Sequence, residues 1–145
     1  MSAELAAATR NKVQQYLTRN FSNVNIDEHG DFSLRQGSAR IFVRVVAREG
    51  VDWTHVSLWA PILLQVKETP EVFEYIALHA DDYIFGHLHA LRVDGGLAIG
   101  LTHNLLGDYL DEDELGRAVG GILGVADEID DELKTQFGGS RFHED

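Results

Sequence analysis

The pair His87-x-His89 in "FGHLHALRVDGG" is the first place in this sequence where residue type and spacing could do chemistry. On a β-strand, side chains two apart share a face and stand roughly 6.5–7 Å from each other, a separation zinc ligation tolerates. His55 is a candidate third ligand on the same face. A catalytic zinc also needs an open coordination position and partners that orient its ligands. There is no H-E-x-x-H sequence and no carboxylate on the histidine strand. Histidines on an amphipathic strand are more often structural or interfacial, so a metal-responsive regulator using His55, His87 and His89 is the alternative reading, and no metal is expected.

Other chemistries find less support. "NIDEHGDF" alternates polar groups before Gly30, but an EF-hand loop needs glutamate at its twelfth position, where Gln36 stands. A hairpin turn explains that stretch. "DEDEL" and "ADEIDDEL" place carboxylates on helical first turns and polar faces, where the helix dipole and solvent suffice. The serines of "GSAR" and "GGSRF" lack a nucleophile elbow, and no glycine-rich phosphate cradle occurs. The chain is not expected to be an enzyme, and no cofactor is expected.

The elements that must position these residues follow from composition and pattern. The 145 residues are 44% hydrophobic and 25% charged, which suits a single globular domain over 1–145. Cysteine is absent, excluding disulfides and thiolate chemistry. No stretch approaches a membrane span, and "MSAELAAATRNKVQQYL" has no signal-peptide pattern, so a cytoplasmic protein is expected. The net charge of −12 is uneven: residues 1–48 carry +3, residues 49–106 carry −6 and residues 107–145 carry −9. Such a surface repels phosphate and anionic lipid, so neither nucleic acid nor membrane is an expected partner.

Residues 3–21 read as a helix, with Leu5, Thr9, Val13, Leu17 and Phe21 four apart. From Asn23 to Ala60 the sequence alternates, with breaks at His29-Gly30-Asp31, Gln36-Gly37 and Glu49-Gly50, and predicts a three-stranded meander. Thr69-Pro70-Glu71 is a helix start, and that helix runs to about Ala80. "YIFGHLHALRV" and "GLAIGLTHNL" predict two strands about Asp94-Gly95-Gly96. Asp111 and Glu114 cap a last helix, Leu110 and Leu115 staple it, and Gly138-Gly139 end it. Its apolar stripe is Leu115, Val119, Ile122, Ala126, Ile129 and Leu133. The expected fold class is α+β, in the order α-β-β-β-α-β-β-α, one five-stranded antiparallel sheet with helices on one face.

"KETPEVFEYIALHADDYIFG", "RVDGGLAIGLTHNLLGDYLDEDEL" and "ADEIDDELKTQFGG", with the closing Phe137-Gly138-Gly139, resemble the YbjN-like family, related in fold to type III secretion chaperones. These are signatures of caps, turns and strand ends. The resemblance implies a small α/β domain, a dimer, that holds an extended peptide or secretion client. The last helix departs from good helix formers at Gly116, Gly120, Gly121 and Gly124, each costing roughly 0.8–1 kcal/mol relative to alanine. Three of them line one stripe, suited to close approach by the sheet or a second subunit, or simply a tolerated weak helix.

Strand alternation separates two sheet faces. Ala39, Ile41, Val43, Val45, Thr54, Val56, Leu58, Leu97, Ile99 and Leu101 belong beneath the helices; the histidine strand is ambiguous by pattern, and Ile84, Leu88 and Ala90 can face in with them. The other face takes Arg40, Phe42, Arg44, Trp53, His55, Ser57 and Trp59, then Ala98, Gly100, Thr102, Phe85, His87, His89 and Leu91. Aromatics and arginine are enriched where proteins bind proteins. The expected function is therefore a non-enzymatic, peptide-binding, chaperone-like module whose site is Arg40, Phe42, Arg44, Trp53, His55 and Trp59. A protein or extended peptide client and a second copy of the chain are the expected partners.

Overall fold

The computed structural model describes residues 2–142. The chain runs α1 (Ser2–Asn20), β1 (Asn25–Ile26), β2 (Phe32–Gln36), β3 (Ala39–Ala47), β4 (Thr54–Val66), α2 (Pro70–His79), β5 (His87–Val93), β6 (Gly96–Leu106), α3 (Glu112–Phe137) and β7 (Ser140–Arg141). All strand pairings are antiparallel, in the order β1-β2-β3-β4-β6-β5, with β7 added to β4.

The caps act where the residue types predict. The Thr69 hydroxyl accepts the Val72 N–H at 3.4 Å, with Pro70 opening α2. The Asp111 carboxylate accepts the Glu114 N–H at 2.7 Å and starts α3. Gly138, at φ 73°, ends α3 in the left-handed region and donates its N–H to the Lys134 carbonyl at 2.8 Å.

The core lies between one sheet face and the helices. Val43, Val56, Leu58, Ala60, Ile99 and Leu101 meet Val13 and Leu17 of α1 and Leu115, Val119, Ile122, Leu123 and Ala126 of α3. α2 sits by the end of α3, the Tyr75 ring 5.2 Å from that of Phe137.

Three expectations are corrected. The sheet has seven strands rather than five, because the three breaks between Asn23 and Ala60 delimit four segments, and because the chain re-enters the sheet after Gly138-Gly139. The added strands, β1 and β7, are two residues each, too short for alternation to reveal. The strand expected from Tyr83 starts at His87: Gly86 takes φ 82° and resets the alternation before it. Ile84 is therefore 92% exposed instead of buried. Phe85 turns to the helix side, its ring edge-on to His103 at 6.1 Å and close against Gly121. Within the chain the α3 glycine that close packing demands is Gly121, since a Cβ there would lie 2.9 Å from the Phe85 ring.

Candidate functional site: the uncovered sheet face

The side chains that alternate away from the helices are half-buried to exposed along β3, β4, β5 and β6, save for Pro61, Ala98 and Gly100. Register decides what meets there. Phe42 stands opposite Trp59, Arg44 opposite Ser57 and Val46 opposite His55. Trp59 in turn stands opposite Thr102, and His89 opposite Gly100. Because Gly100 has no side chain, the Trp59 indole lies over it: a Cβ there would come within 2.6 Å of the ring. The His89 ring meets that indole edge-on at 6.1 Å. An aromatic floor thus crosses β4, β6 and β5.

Beside it, a concavity of about 300 Å³ is lined by Asp27, Asp31, Phe42, Arg44, Ser57 and Trp59. Arg44 pairs with Asp31 at 3.1 Å, and Arg40 holds its guanidinium 5.2 Å from the Phe42 ring while donating to the Ser33 hydroxyl at 3.2 Å. Asp27 shapes the wall by accepting the N–H groups of His29 at 2.8 Å and Asp31 at 3.0 Å. Those bonds, that from Asp31 foremost, hold its carboxyl below the ordinary range. A second concavity of about 350 Å³ lies at the far end, among Arg48, Trp53, His55, Asn104 and Leu106. Burial, with the neighbouring Arg48 charge, pushes the His55 pKa down and favours a neutral ring.

Of the six predicted site residues, Arg40, Phe42, Arg44 and Trp59 are brought together, while Trp53 and His55 share the distal concavity. Trp53 precedes β4 and is 46% exposed. Asn104 and Leu106 complete the surface beyond the predicted Thr102, and carrying the β6 alternation further reaches them. Asp31 was missed because its ion pair with Arg44 depends on how β2 and β3 pair.

The three histidines do not assemble. His55 stands opposite Leu106 and His87 opposite Thr102, four residues further along β6, or roughly 13 Å. Among the described residues no group of three histidine or carboxylate side chains is placed to hold a metal ion.

A family model described as "T3SS (YopN, CesT) and YbjN peptide-binding chaperone 1", TY-Chap1, matches residues 4–145. The chain belongs to this family. TY-Chap1 is a family of peptide-binding chaperones, in agreement with the resemblance drawn from the caps and turns. A chain in the crystal structure of the ExsC–ExsE complex has the same fold, with a TM-score of 0.63 at 16% identity, over 89% of this chain and 96% of that one. No curated protein matches. No helix among the described residues is long and apolar enough to cross a membrane.

Proposed function

We propose that this TY-Chap1 chain is a non-enzymatic, chaperone-like module that holds an extended segment of a client protein on the uncovered sheet face. The observation that carries the reading is a sheet face floored by Trp59 and Phe42, edged by arginines, and with no helix over it among the described residues. Apolar aromatic surface of that kind gains most when a partner removes it from water. The indole is already fixed over Gly100, so little side-chain freedom is lost on binding.

Phe42, Trp59 and, at the distal end, Trp53 are the apolar anchors. Among the described residues Arg44 is held by an exposed pair with Asp31, which contributes little to stability and can exchange for a client carboxylate. Arg40 and Arg48 extend that preference along the face. The module acts as one domain in the cytoplasm and as a homodimer, without a cofactor. The net charge of −12 opposes the phosphate contacts that nucleic acid would require.

The test is affinity capture from native extract, read by mass spectrometry, on wild type and on a Trp59→Ala, Arg44→Glu variant whose circular dichroism and melting temperature match wild type. A client lost only from the variant supports the site, whereas identical capture by both overturns it. With a client in hand, Arg44→Glu alone should weaken binding roughly tenfold, the size of one charge-assisted hydrogen bond of about 1.5 kcal/mol.

A further inference from the structure

The sheet splits at the mouth of this site. β3 pairs with β4 from Phe42 to Ala47, but its first residues, Ala39 to Ile41, leave β4 and pair with β2 alone. β4 runs on past the split to Val66, through two register shifts and a left-handed backbone at Gln65, φ 58°. The edge it presents there is filled by β7, with Leu63 opposite Arg141 and Leu64 opposite Ser140.

Alternation along β7 does the rest. Arg141 lies on the helix side, where it pairs with Asp130 at 3.8 Å and with Asp131 of α3. Phe142 emerges on the open face, its ring edge-on to Phe42 at 5.9 Å. The approach is close: a Cβ on Gly139 would lie 2.5 Å from the Leu64 carbonyl oxygen. Among the described residues only two are paired, however. Two polar atoms flanking the split, Arg40 Nε and Ser140 Oγ, are buried and make no hydrogen bond among the described residues. A ring seated on Phe42 by so short a strand has the form of a ligand in its site, held but displaceable.

We infer that residues 140–142 occupy part of the client site from within the same chain. The client segment this site takes is an extended peptide that pairs with β4 at Leu63–Leu64 and seats an aromatic ring on Phe42. The inference rests on the client-binding reading above and adds to it a motif, an aromatic residue directly after the paired ones, and a competitor built into the chain. If the internal segment is docked for nine-tenths of the time, a client's apparent affinity is lowered about tenfold.

The probe is a fluorescent synthetic peptide, GGSRFHED, which copies residues 138–145. It is titrated by anisotropy against wild type, a chain ending at Gly139, and Phe142→Ala, which removes the docked ring and so loosens the two-residue β7 while keeping the full chain, should the shorter chain fold poorly. The expected result is binding to both variants about tenfold tighter than to wild type, and none when the peptide's phenylalanine is replaced by alanine. Equal binding to all three chains, or to none, overturns the inference. A random-peptide display pool run on the same chains separates its failure from that of the client reading. Peptides that bind every chain equally and are lost on Trp59→Ala leave the client site standing and overturn the internal competitor. A pool that binds no chain overturns both.

Discussion

At Gly100 a side chain would collide with the Ala60 carbonyl oxygen and the Trp59 indole, at 2.5 and 2.6 Å. The floor of the candidate site therefore depends on an absence of atoms, which composition cannot reveal until β4 and β6 are known to be neighbours. His103 is a second residue whose environment comes from pairing. Opposite Leu58 on the helix side, it accepts the Gly86 N–H on Nδ1 at 3.1 Å, so that nitrogen carries no proton. Burial, then the neighbouring His87, pushes its pKa down; the Phe85 ring is its aromatic neighbour. A depressed histidine contributes stability that is complete above the unfolded value of about 6.5 and is lost as pH falls from there through the folded value. The urea midpoint should therefore drop between pH 7.5 and 5.5. His103→Asn, whose amide oxygen can still take the Gly86 N–H, should shrink that drop without abolishing it, because His55 titrates in the same direction. An unchanged pH dependence in the variant would remove His103 from the account.

Among the elements, α1 is anchored through a buried polar knot. The Thr54 hydroxyl donates to the Asp108 carboxylate at 2.7 Å, so the Thr9 hydroxyl must be the donor in the 2.8 Å contact between the two threonines. Asp108 also accepts the Thr54 N–H at 3.0 Å, and these bonds, that from the side chain foremost, hold its carboxyl below the ordinary range. Lys12 of α1 closes the knot on the Gly107 and Asp108 carbonyls at 2.7 and 3.1 Å. Thr54→Val keeps the shape and leaves the buried Thr9 hydroxyl unpaired, at a cost of about 1–3 kcal/mol. Denaturant unfolding should register that loss, and a change below about 0.5 kcal/mol would mean the knot is not cooperative. None of this was readable beforehand, since α1, β4 and the turn after β6 are distant in sequence. The helix caps were readable because they are local: Asp111 and Glu114, or Thr69 and Pro70, carry their own geometry. The same locality explains the misreading before His87, where alternation was carried across Gly86.

Over the whole molecule, the assignment of sheet faces along β3, β4 and β6 was legible, because one face must be uniformly apolar to meet the helices. Which outward residues become neighbours was not, as the spatial order puts β6 between β4 and β5. The glycines of α3 belong to this scale. A Cβ on Gly120 or Gly124 would meet nothing within 4 Å. Gly120→Ala and Gly124→Ala should each raise unfolding free energy by about 0.5–1 kcal/mol. A loss of stability in chemical denaturation would instead point to a contact made at those positions.

Those glycines also bear on time. A 26-residue helix with four glycines in its first half has little reason to form before it has something to lie on. Its stability comes from packing on the sheet, against Val43, Leu58 and Leu101 of the core. On a growing chain α3 comes last, after every strand it shields except β7. Until it arrives, the part of the sheet that α3 covers stays open to water, since α1 shields only its own share of that face.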